Sequence, residues 1–155
     1  MKMFNLDIHT DGACSGNPGL GGYCGIIVLG ENKKTVQGYE LQATNNSMEL
    51  KAVVEAVKAL TAPCNITVHT DSQYLCTCWE HDRDWFNRDN RPNKDLWIEL
   101  IKVEENGHHK ISFQKIKGHS GDLYNEKCDK LAKEQIRTAR HALLDKMERR
   151  QHGWT

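Results

Sequence analysis

The chain has 155 residues, a length typical of one compact domain that can bury a substantial core. Hydrophobic residues make up 38% of the sequence, which favours a globular fold over intrinsic disorder. Lys plus Arg number 21 and Asp plus Glu also number 21, so the formal net charge is zero. The chain therefore lacks the overall basic surplus that nucleic-acid-binding domains usually carry, and any such surface must be local.

Cysteine usage and hydropathy indicate the compartment. The six cysteines include no C-x-x-C pair, which argues against a zinc ribbon or knuckle. The start of the chain lacks the apolar region of a signal peptide, and no apolar run approaches the ~20 residues of a transmembrane helix. We therefore expect a cytoplasmic protein with free thiols and no membrane association. We also expect a monomer, built as a single domain over residues 1–155 with a loose tail over 148–155.

Hydrophobic periodicity predicts the elements in the order β-β-β-α-β-α-α-β-α. The predicted strands are 3–11, 21–30, 35–42, 65–70 and 110–116. The predicted helices are 47–60, 73–79, 95–104 and 125–149. A turn rich in Gly and Pro separates the first two strands, and the short connections predict an antiparallel meander of three strands. The whole order predicts an α/β sheet with an antiparallel edge and parallel inner strands.

Four acidic residues lie at or near the ends of these elements, namely Asp11, Glu49, Asp71 and Asp129. Taken alone, each of the first three has an ordinary explanation. Asp11 and Asp71 could cap a turn or a helix, and Glu49 could be favoured by the nearby helix N-terminus. Glu49 nevertheless shares the apolar side of its helix, where an uncompensated carboxylate would be costly. A metal ion is the alternative source of compensation.

Carboxylates from four separate elements can converge at one end of a sheet, where they would repel one another strongly. Mg²⁺ is a hard cation that prefers oxygen ligands, and it would relieve this repulsion. Two such ions ~3.5–4 Å apart stabilise both the attacking and the leaving oxygen of an in-line phosphoryl displacement. The acidic set therefore predicts a phosphoryl-transfer site, in which one ion activates water and the other balances charge on the leaving 3′ oxygen.

Four parts of the sequence carry these acids in order. They are TDGACSGNPGLGGY from Thr10, TNNSMEL from Thr44, TDSQY from Thr70, and KGHSG from Lys117 together with NEKCDKLA from Asn125. This ordered set resembles the motifs of type 1 ribonuclease H over about residues 3–133, nearly the whole domain. A single motif would be weak, whereas four in the right order, each centred on a carboxylate, are highly specific.

The resemblance implies a ribonuclease H-like α/β fold, with a five-stranded mixed sheet of three antiparallel strands plus parallel strands and helices on both faces. It implies an endonuclease that hydrolyses the RNA strand of RNA–DNA hybrids and leaves 5′-phosphate and 3′-hydroxyl ends. Asp11, Glu49, Asp71 and Asp129 match the catalytic, metal-binding carboxylates, which hold two Mg²⁺ ions or Mn²⁺ in their place. His119 matches a loop histidine that assists proton transfer or product release, a task that suits its ordinary pKa of ~6.5.

The resemblance also implies three groups of substrate-binding residues. Those that match contacts to the RNA strand, through backbone groups and 2′-hydroxyls, are Gly12, Cys14, Asn45 and Gln73. Those that match a pocket for a DNA-strand phosphate are Asn17 and Thr44. Those that resemble the aromatic residues of a DNA-strand channel are Trp79, Trp85 and Trp97. For the three Trp residues, packing into the core is the alternative explanation.

The chain departs from the family pattern in its basic residues. In well-studied bacterial members the stretch equivalent to 80–95 is longer and strongly basic, whereas here it is shorter and mixed in charge. Gln42 and Ser47 replace basic residues around the Thr-Asn-Asn loop. We hypothesise that the basic C-terminal helix, including Arg137 and Arg140, partly substitutes in binding the hybrid.

Two other functions are consistent with parts of this pattern. A DNA-strand-transfer or junction-cutting nuclease on the same fold would share the carboxylates but not the residues that read 2′-hydroxyls. A non-catalytic hybrid-binding module would gain from losing negative charge beside the phosphates, so the intact acidic set counts against it. Metal-dependent turnover of a labelled hybrid separates all three.

Overall fold

The structure is a computed structural model that describes residues 2–88, 90–117 and 122–153. Its strands are β1 (Phe4–Gly16), β2 (Gly19–Leu29), β3 (Asn32–Ala43), β4 (Cys64–Thr70) and β5 (Lys110–Lys115). Its helices are α1 (Asn45–Lys58), α2 (Gln73–Trp79), α3 (Lys94–Asn106) and α4 (Leu123–Gln151), and a 3₁₀ helix spans Arg83–Asn87. The order of these elements agrees with the order that hydrophobic periodicity predicts.

The strands form one mixed sheet in the order β3-β2-β1-β4-β5. β1, β2 and β3 pair antiparallel, as expected for strands joined by short turns. β4 pairs parallel to β1, and β5 pairs parallel to β4. The predicted five-stranded sheet with an antiparallel and a parallel part is therefore confirmed.

Helices cover the sheet on both faces. On one face α1 buries Leu50, Val53 and Val57 completely, and they belong to the same core cluster as Ile8 and Val68 of the sheet. Each large apolar side chain buried in this way contributes about 1.5–3 kcal/mol to folding. On the other face α4 packs on β2, where a second cluster of buried residues consists of Cys24, Ile26, Cys128 and Ala132.

The segment rich in Gly and Pro is mostly strand, which corrects the prediction of a long turn. β1 and β2 stay paired as far as Gly16 opposite Gly19, so only Asn17 and the cis Pro18 form the hairpin tip. The glycines are needed because helices lie close to both strands. A Cβ at Gly12 would lie 2.5 Å from the backbone nitrogen of Glu49, and one at Gly22 would overlap the carbonyl oxygen of Ala132.

α4 continues to Gln151, so residues 148–151 are helical where the sequence predicts a loose tail from 148. The ion pair between Arg149 and Asp145, four residues apart at 3.1 Å, supports the last turns. Arg149 and Arg150 also lie in the final turn, where positive charge is favoured by the helix dipole. Among the described residues, no helix combines the length and apolar composition needed to cross a membrane.

Candidate active site

Three of the four predicted carboxylates meet at one end of the sheet. One oxygen atom from each of Asp11, Glu49 and Asp71 lies within 4.8 Å of the other two. The residues come from β1, α1 and the segment directly after β4. The structure thus brings together side chains that are 38 and 22 residues apart along the chain.

Two parallel neighbouring strands deliver the two aspartates. β1 and β4 are aligned so that His9 lies beside His69, and the chain reaches an aspartate two residues later in both cases. Asp71 follows directly after Thr70, the last residue of β4. Asp11 is only 5% exposed. Parallel strands that end at one edge commonly place functional groups there.

α1 supplies Glu49, and its close approach depends on Gly12. Any side chain at Gly12 would collide with the backbone of Met48 and Glu49, so a bulkier residue would push the helix away from β1. The cap of α1 is the side chain of Thr44, which accepts a hydrogen bond from the backbone nitrogen of Ser47 at 3.1 Å. This local arrangement holds the start of α1 at the end of the sheet that carries the acids.

The structure excludes the ordinary explanations for Asp71 and Glu49. Ser72, and not Asp71, caps α2 by accepting a hydrogen bond from the backbone nitrogen of Leu75 at 3.2 Å. Glu49 lies beyond the first turn of α1, so the helix dipole does not compensate its charge. Its Oε2 atom is buried and has no hydrogen-bond partner among the described residues. A buried, unpaired carboxylate oxygen is the feature that a cation would satisfy.

The carboxyl groups of Asp11 and Glu49 ionise less readily than ordinary carboxyl groups. Burial raises the pKa of Asp11 to about 6, and the charge of Asp71 adds to the rise, while a hydrogen bond from Glu49 opposes it. Burial also raises the pKa of Glu49 well above its ordinary range, and the charge of Asp11 reinforces this shift. The acids therefore repel each other without a counter-ion. Because every ligand atom in the group is an oxygen, the site fits a hard divalent cation such as Mg²⁺ or Mn²⁺.

Asp129 lies near this group but is not one of its three members. It is placed in the second turn of α4, and its charge contributes to the raised pKa of Asp11. Its carboxylate accepts a hydrogen bond from Nζ of Lys133, four residues later in α4, at 2.9 Å. His119, the fifth predicted catalytic residue, lies outside the described residues.

Several predicted substrate-contact residues gather where the hairpin tip meets the start of α1. The side chain of Asn17 accepts a hydrogen bond from the backbone nitrogen of Asn45 at 3.2 Å, and both residues are exposed. Thr44 is adjacent as the cap of α1. Cys14 donates its thiol hydrogen to the carbonyl oxygen of Ala43 at 3.0 Å. Gln73 is exposed at the first turn of α2, two residues after Asp71 in the sequence.

The three predicted aromatic contacts have different surroundings. Trp97 is completely buried, which corrects the expectation that it contacts substrate and assigns it to the core. Trp79 is partly buried and donates a hydrogen bond from Nε1 to the carbonyl oxygen of Ile111 at 3.1 Å. The sequence does not separate the three, because the burial of each ring depends on tertiary packing.

Trp85 lies between two side chains. The ring of His81 is stacked on it with 4.1 Å between centroids and 3° between planes, and the guanidinium carbon of Arg91 lies 3.5 Å from the Trp85 centroid. The Nε atom of Arg91 is buried and has no hydrogen-bond partner among the described residues. The sequence does not indicate this role for Arg91, because nothing in the local pattern predicts which aromatic ring an arginine will cover.

A family model described as RNase H matches residues 4–137. The chain belongs to the RNase H family. A ribonuclease H from Pelobacter propionicus is 47% identical over 145 residues, which cover 88% of this chain and 88% of that protein. The expectation of a ribonuclease H enzyme is therefore confirmed by relationship to proteins of that name.

Solved structures of the family share the fold. LC9-RNase H1, described as a type 1 RNase H with the type 2 active-site motif, is similar with a TM-score of 0.76 at 21% identity, covering 90% of this chain and 75% of that chain. LC11-RNase H1, solved in complex with an RNA/DNA hybrid, has a TM-score of 0.69 at 21% identity. The match covers 86% of this chain and 98% of that chain. At these identities the likeness establishes the fold, and the predicted ribonuclease H-like architecture is confirmed.

Proposed function

We propose that the chain hydrolyses the RNA strand of RNA–DNA hybrids, using divalent cations held by Asp11, Glu49, Asp71 and Asp129. The observation that carries this proposal is the convergence of Asp11, Glu49 and Asp71, with oxygens within 4.8 Å of one another. Membership of the RNase H family supports the reaction, and the hybrid bound to LC11-RNase H1 supports the substrate class. We propose Mg²⁺ as the cation, with Mn²⁺ as a substitute.

Metal ions at this site would supply a water molecule activated for in-line attack and would neutralise charge on the leaving oxygen. Two ions would use the full acidic set, with Asp129 contributing from the second turn of α4. The raised pKa values of Asp11 and Glu49 describe the metal-free state, and both residues ionise when they become ligands. Hydrolysis of this kind would leave 5′-phosphate and 3′-hydroxyl ends.

The surrounding residues would orient the hybrid. Asn45 and Gln73 are exposed and present amide groups suited to 2′-hydroxyls, together with backbone groups at Gly12 and Cys14. Asn17 and Thr44 would bind a DNA-strand phosphate. We propose contacts to the same strand from Trp79 and Trp85, and proton transfer or product release assisted by His119.

A cleavage assay tests this function. Hybrids labelled on either strand, a DNA duplex and an RNA duplex would be incubated with the protein in Mg²⁺, in Mn²⁺ and in a chelator. We expect cleavage of the RNA strand of the hybrid alone, with 5′-phosphate ends, and none in the chelator. Cleavage of the DNA duplex would instead favour a junction or strand-transfer nuclease, and binding without turnover would favour a non-catalytic module.

Substitutions link the activity to the acidic cluster. Asp11→Asn and Asp71→Asn should reduce cleavage to background and leave the fold intact, because removing a carboxylate relieves repulsion. Asp84→Asn is a matched control, since Asp84 is exposed in the 3₁₀ helix Arg83–Asn87 and belongs to a different part of the surface. Full activity in either cluster variant would overturn the assignment.

We also propose that the chain works as a single-domain monomer in the cytoplasm. The relatives support this setting, since they are bacterial ribonuclease H proteins. Light scattering measures the oligomeric state, and a mass near 17.7 kDa is the expected result. Twice this mass at assay concentrations would contradict the monomer.

A further inference from the structure

Three aromatic side chains from three elements form a continuous stack beside the acidic cluster. The His9 ring of β1 lies between the His69 ring of β4 and the Tyr124 ring of α4. The centroids are 4.6 Å apart between the two histidines and 4.5 Å apart between His9 and Tyr124, with interplanar angles of 12° and 27°. Ring contacts of this kind contribute beyond the area they bury. We refer to His9, His69 and Tyr124 as the ring stack.

Both ends of the ring stack are held by charged side chains. The Nε2 atom of His69 lies 2.8 Å from Oδ1 of Asp7 in the neighbouring strand. On the side of α4, Nζ of Lys33 lies 5.3 Å from the centroid of Tyr124, within range for a cation–π contact. The central ring of His9 is only 9% exposed. The centre of the stack is therefore buried, while His69 and Tyr124 at its two ends are partly exposed.

Each member of the ring stack comes shortly before one of the predicted metal ligands. His9 precedes Asp11 by two residues, and His69 precedes Asp71 by two. Tyr124 precedes Asp129 by five residues, which is about one and a half helical turns. The stack thus joins the three elements that carry these aspartates, a short distance along the chain from each of them.

The position of Asp129 depends on how the first turns of α4 lie on the sheet. The only side-chain partner of Asp129 among the described residues is Lys133, in the same helix, so no hydrogen bond of its own carboxylate ties it to the sheet. Cys128 packs with Cys24 and Ile26 of β2, and two further contacts join this part of α4 to one residue of β1. Tyr124 stacks on the His9 ring, and the thiol of Cys128 donates a hydrogen bond to the His9 carbonyl oxygen at 3.3 Å.

We infer that Tyr124 is a positioning residue for Asp129. Its ring, stacked on His9, sets where the second turn of α4 lies and therefore how Asp129 meets the cations bound with Asp11 and Asp71. The planar ring is the essential feature, because no hydrogen bond from the Tyr124 hydroxyl to a described residue is part of the arrangement. This inference rests on the proposed function. It adds to the site a residue that acts through Asp129 and does not itself contact the cations or the hybrid.

The test is a double-mutant cycle between Tyr124 and Asp129. Tyr124→Ala should lower the rate of hybrid cleavage about 10-fold and raise the Mg²⁺ concentration needed for half-maximal activity, since supporting partners of metal ligands typically contribute 10–100-fold. KM for the hybrid should change less than about twofold. Tyr124→Phe keeps the ring and should retain activity. In an Asp129→Asn background, Tyr124→Ala should cause no further loss of rate.

Calorimetric titration of Mn²⁺ into the protein without hybrid gives a readout that is independent of activity. Tyr124→Ala should weaken Mn²⁺ binding, while Tyr124→Phe and the exposed control Tyr39→Ala should not. Tyr124→Leu replaces the alanine variant if the latter does not fold. An unchanged Mn²⁺ titration, or an additive rate loss in the Asp129→Asn background, would overturn the inference. If the wild-type protein does not cleave hybrids, the proposed function fails and the Mn²⁺ titration alone decides the role of Tyr124.

Discussion

Asp11 contributes to how the metal-free site responds to pH. Burial is the main reason that its pKa rises from 3.8 to about 6, and the charges of Asp71 and Asp129 contribute to the rise. In the unfolded chain the same carboxyl group ionises near its ordinary value. Between these two pH values the folded protein keeps a proton that the unfolded chain has released. Ionisation of Asp11 therefore opposes folding, and the opposition is complete only above the folded pKa.

We expect the free energy of unfolding of the metal-free protein to fall as pH rises from about 4 to about 7. A rise of about two pKa units corresponds to at most about 3 kcal/mol from Asp11. Asp11→Asn should remove the part of this fall that comes from Asp11, because asparagine has no titrating proton. Urea unfolding in a chelator across this pH range, on both proteins, measures the difference. Stability curves of the two proteins that run parallel across this pH range would contradict the prediction. It would also be contradicted if replacing the chelator with Mg²⁺ did not raise the free energy of unfolding of the wild-type protein near pH 7.

Among the elements, the contact between α1 and β1 is the one that places Glu49. Gly12→Ala should lower the free energy of unfolding by about 1–3 kcal/mol, because its Cβ would lie 2.5 Å from the backbone of Glu49 and the helix must move. The movement carries Glu49 away from Asp11, so cation binding should weaken as well. Urea unfolding and calorimetric cation titration measure the two effects.

Gly25→Ala is the matched control for Gly12→Ala. It also adds one methyl group between the sheet and α1, but its Cβ would lie 3.1 Å from the Ala56 side chain, which leaves more room for adjustment. We expect a smaller stability loss and unchanged cation binding. Equal effects of the two substitutions on cation binding would show that Gly12 has no special connection to Glu49.

Trp97 in α3 and Trp85 in the 3₁₀ helix differ in burial, since Trp97 is completely buried and Trp85 only partly. Trp97→Ala should lower the free energy of unfolding by about 3–5 kcal/mol, since Trp97 is completely buried. Trp85→Ala should lower the free energy of unfolding less but raise KM for the hybrid about 2- to 5-fold. This is the size expected from losing the cation–π contact between Trp85 and the Arg91 guanidinium. Trp85→Phe should be close to wild type. A Trp85→Ala enzyme with unchanged KM would exclude a substrate contact at this ring.

Across the whole molecule, zero net charge makes the distribution of basic residues decisive. α4 is the most basic element, and Arg137 and Arg140 are exposed on it. Substituting both with Gln should raise KM and lower the slope of log Kd against log salt by about 1–2, since each lost phosphate contact contributes about 0.7–0.9. Hybrid binding measured between 50 and 200 mM salt, roughly the range in which such slopes are resolved, checks the prediction.

A second double variant gives a control of equal charge. Arg149 and Arg150 lie in the last turn of the same helix, and Arg149 already forms an ion pair with Asp145. Substituting these two with Gln should change the salt slope less than substituting Arg137 and Arg140. If both double variants leave KM and the slope unchanged, α4 does not compensate for the missing basic residues of the 80–95 stretch.

Local patterning predicts the order of the elements, and the ordered motifs point to the acids of the cluster. Alternation and helical spacing depend on which side of a strand or helix is buried, so the order of strands and helices could be read directly. Asp11, Glu49 and Asp71 could be selected because they occupy element ends in an ordered motif set, and the structure brings these three together. The glycine-rich segment was misjudged, because glycine both breaks strands and permits close packing.

Local periodicity and motifs with fixed spacing are sufficient to predict the class of fold, the family and the acids Asp11, Glu49 and Asp71. The packing of the elements is needed to see that Trp97 is core, that Arg91 covers Trp85, and that His9 lies between Tyr124 and His69. These contacts join residues from separate elements, and their geometry follows from how the helices pack on the twisted sheet. Neither composition nor spacing records such packing, since many sequences with the same pattern would place different side chains in contact.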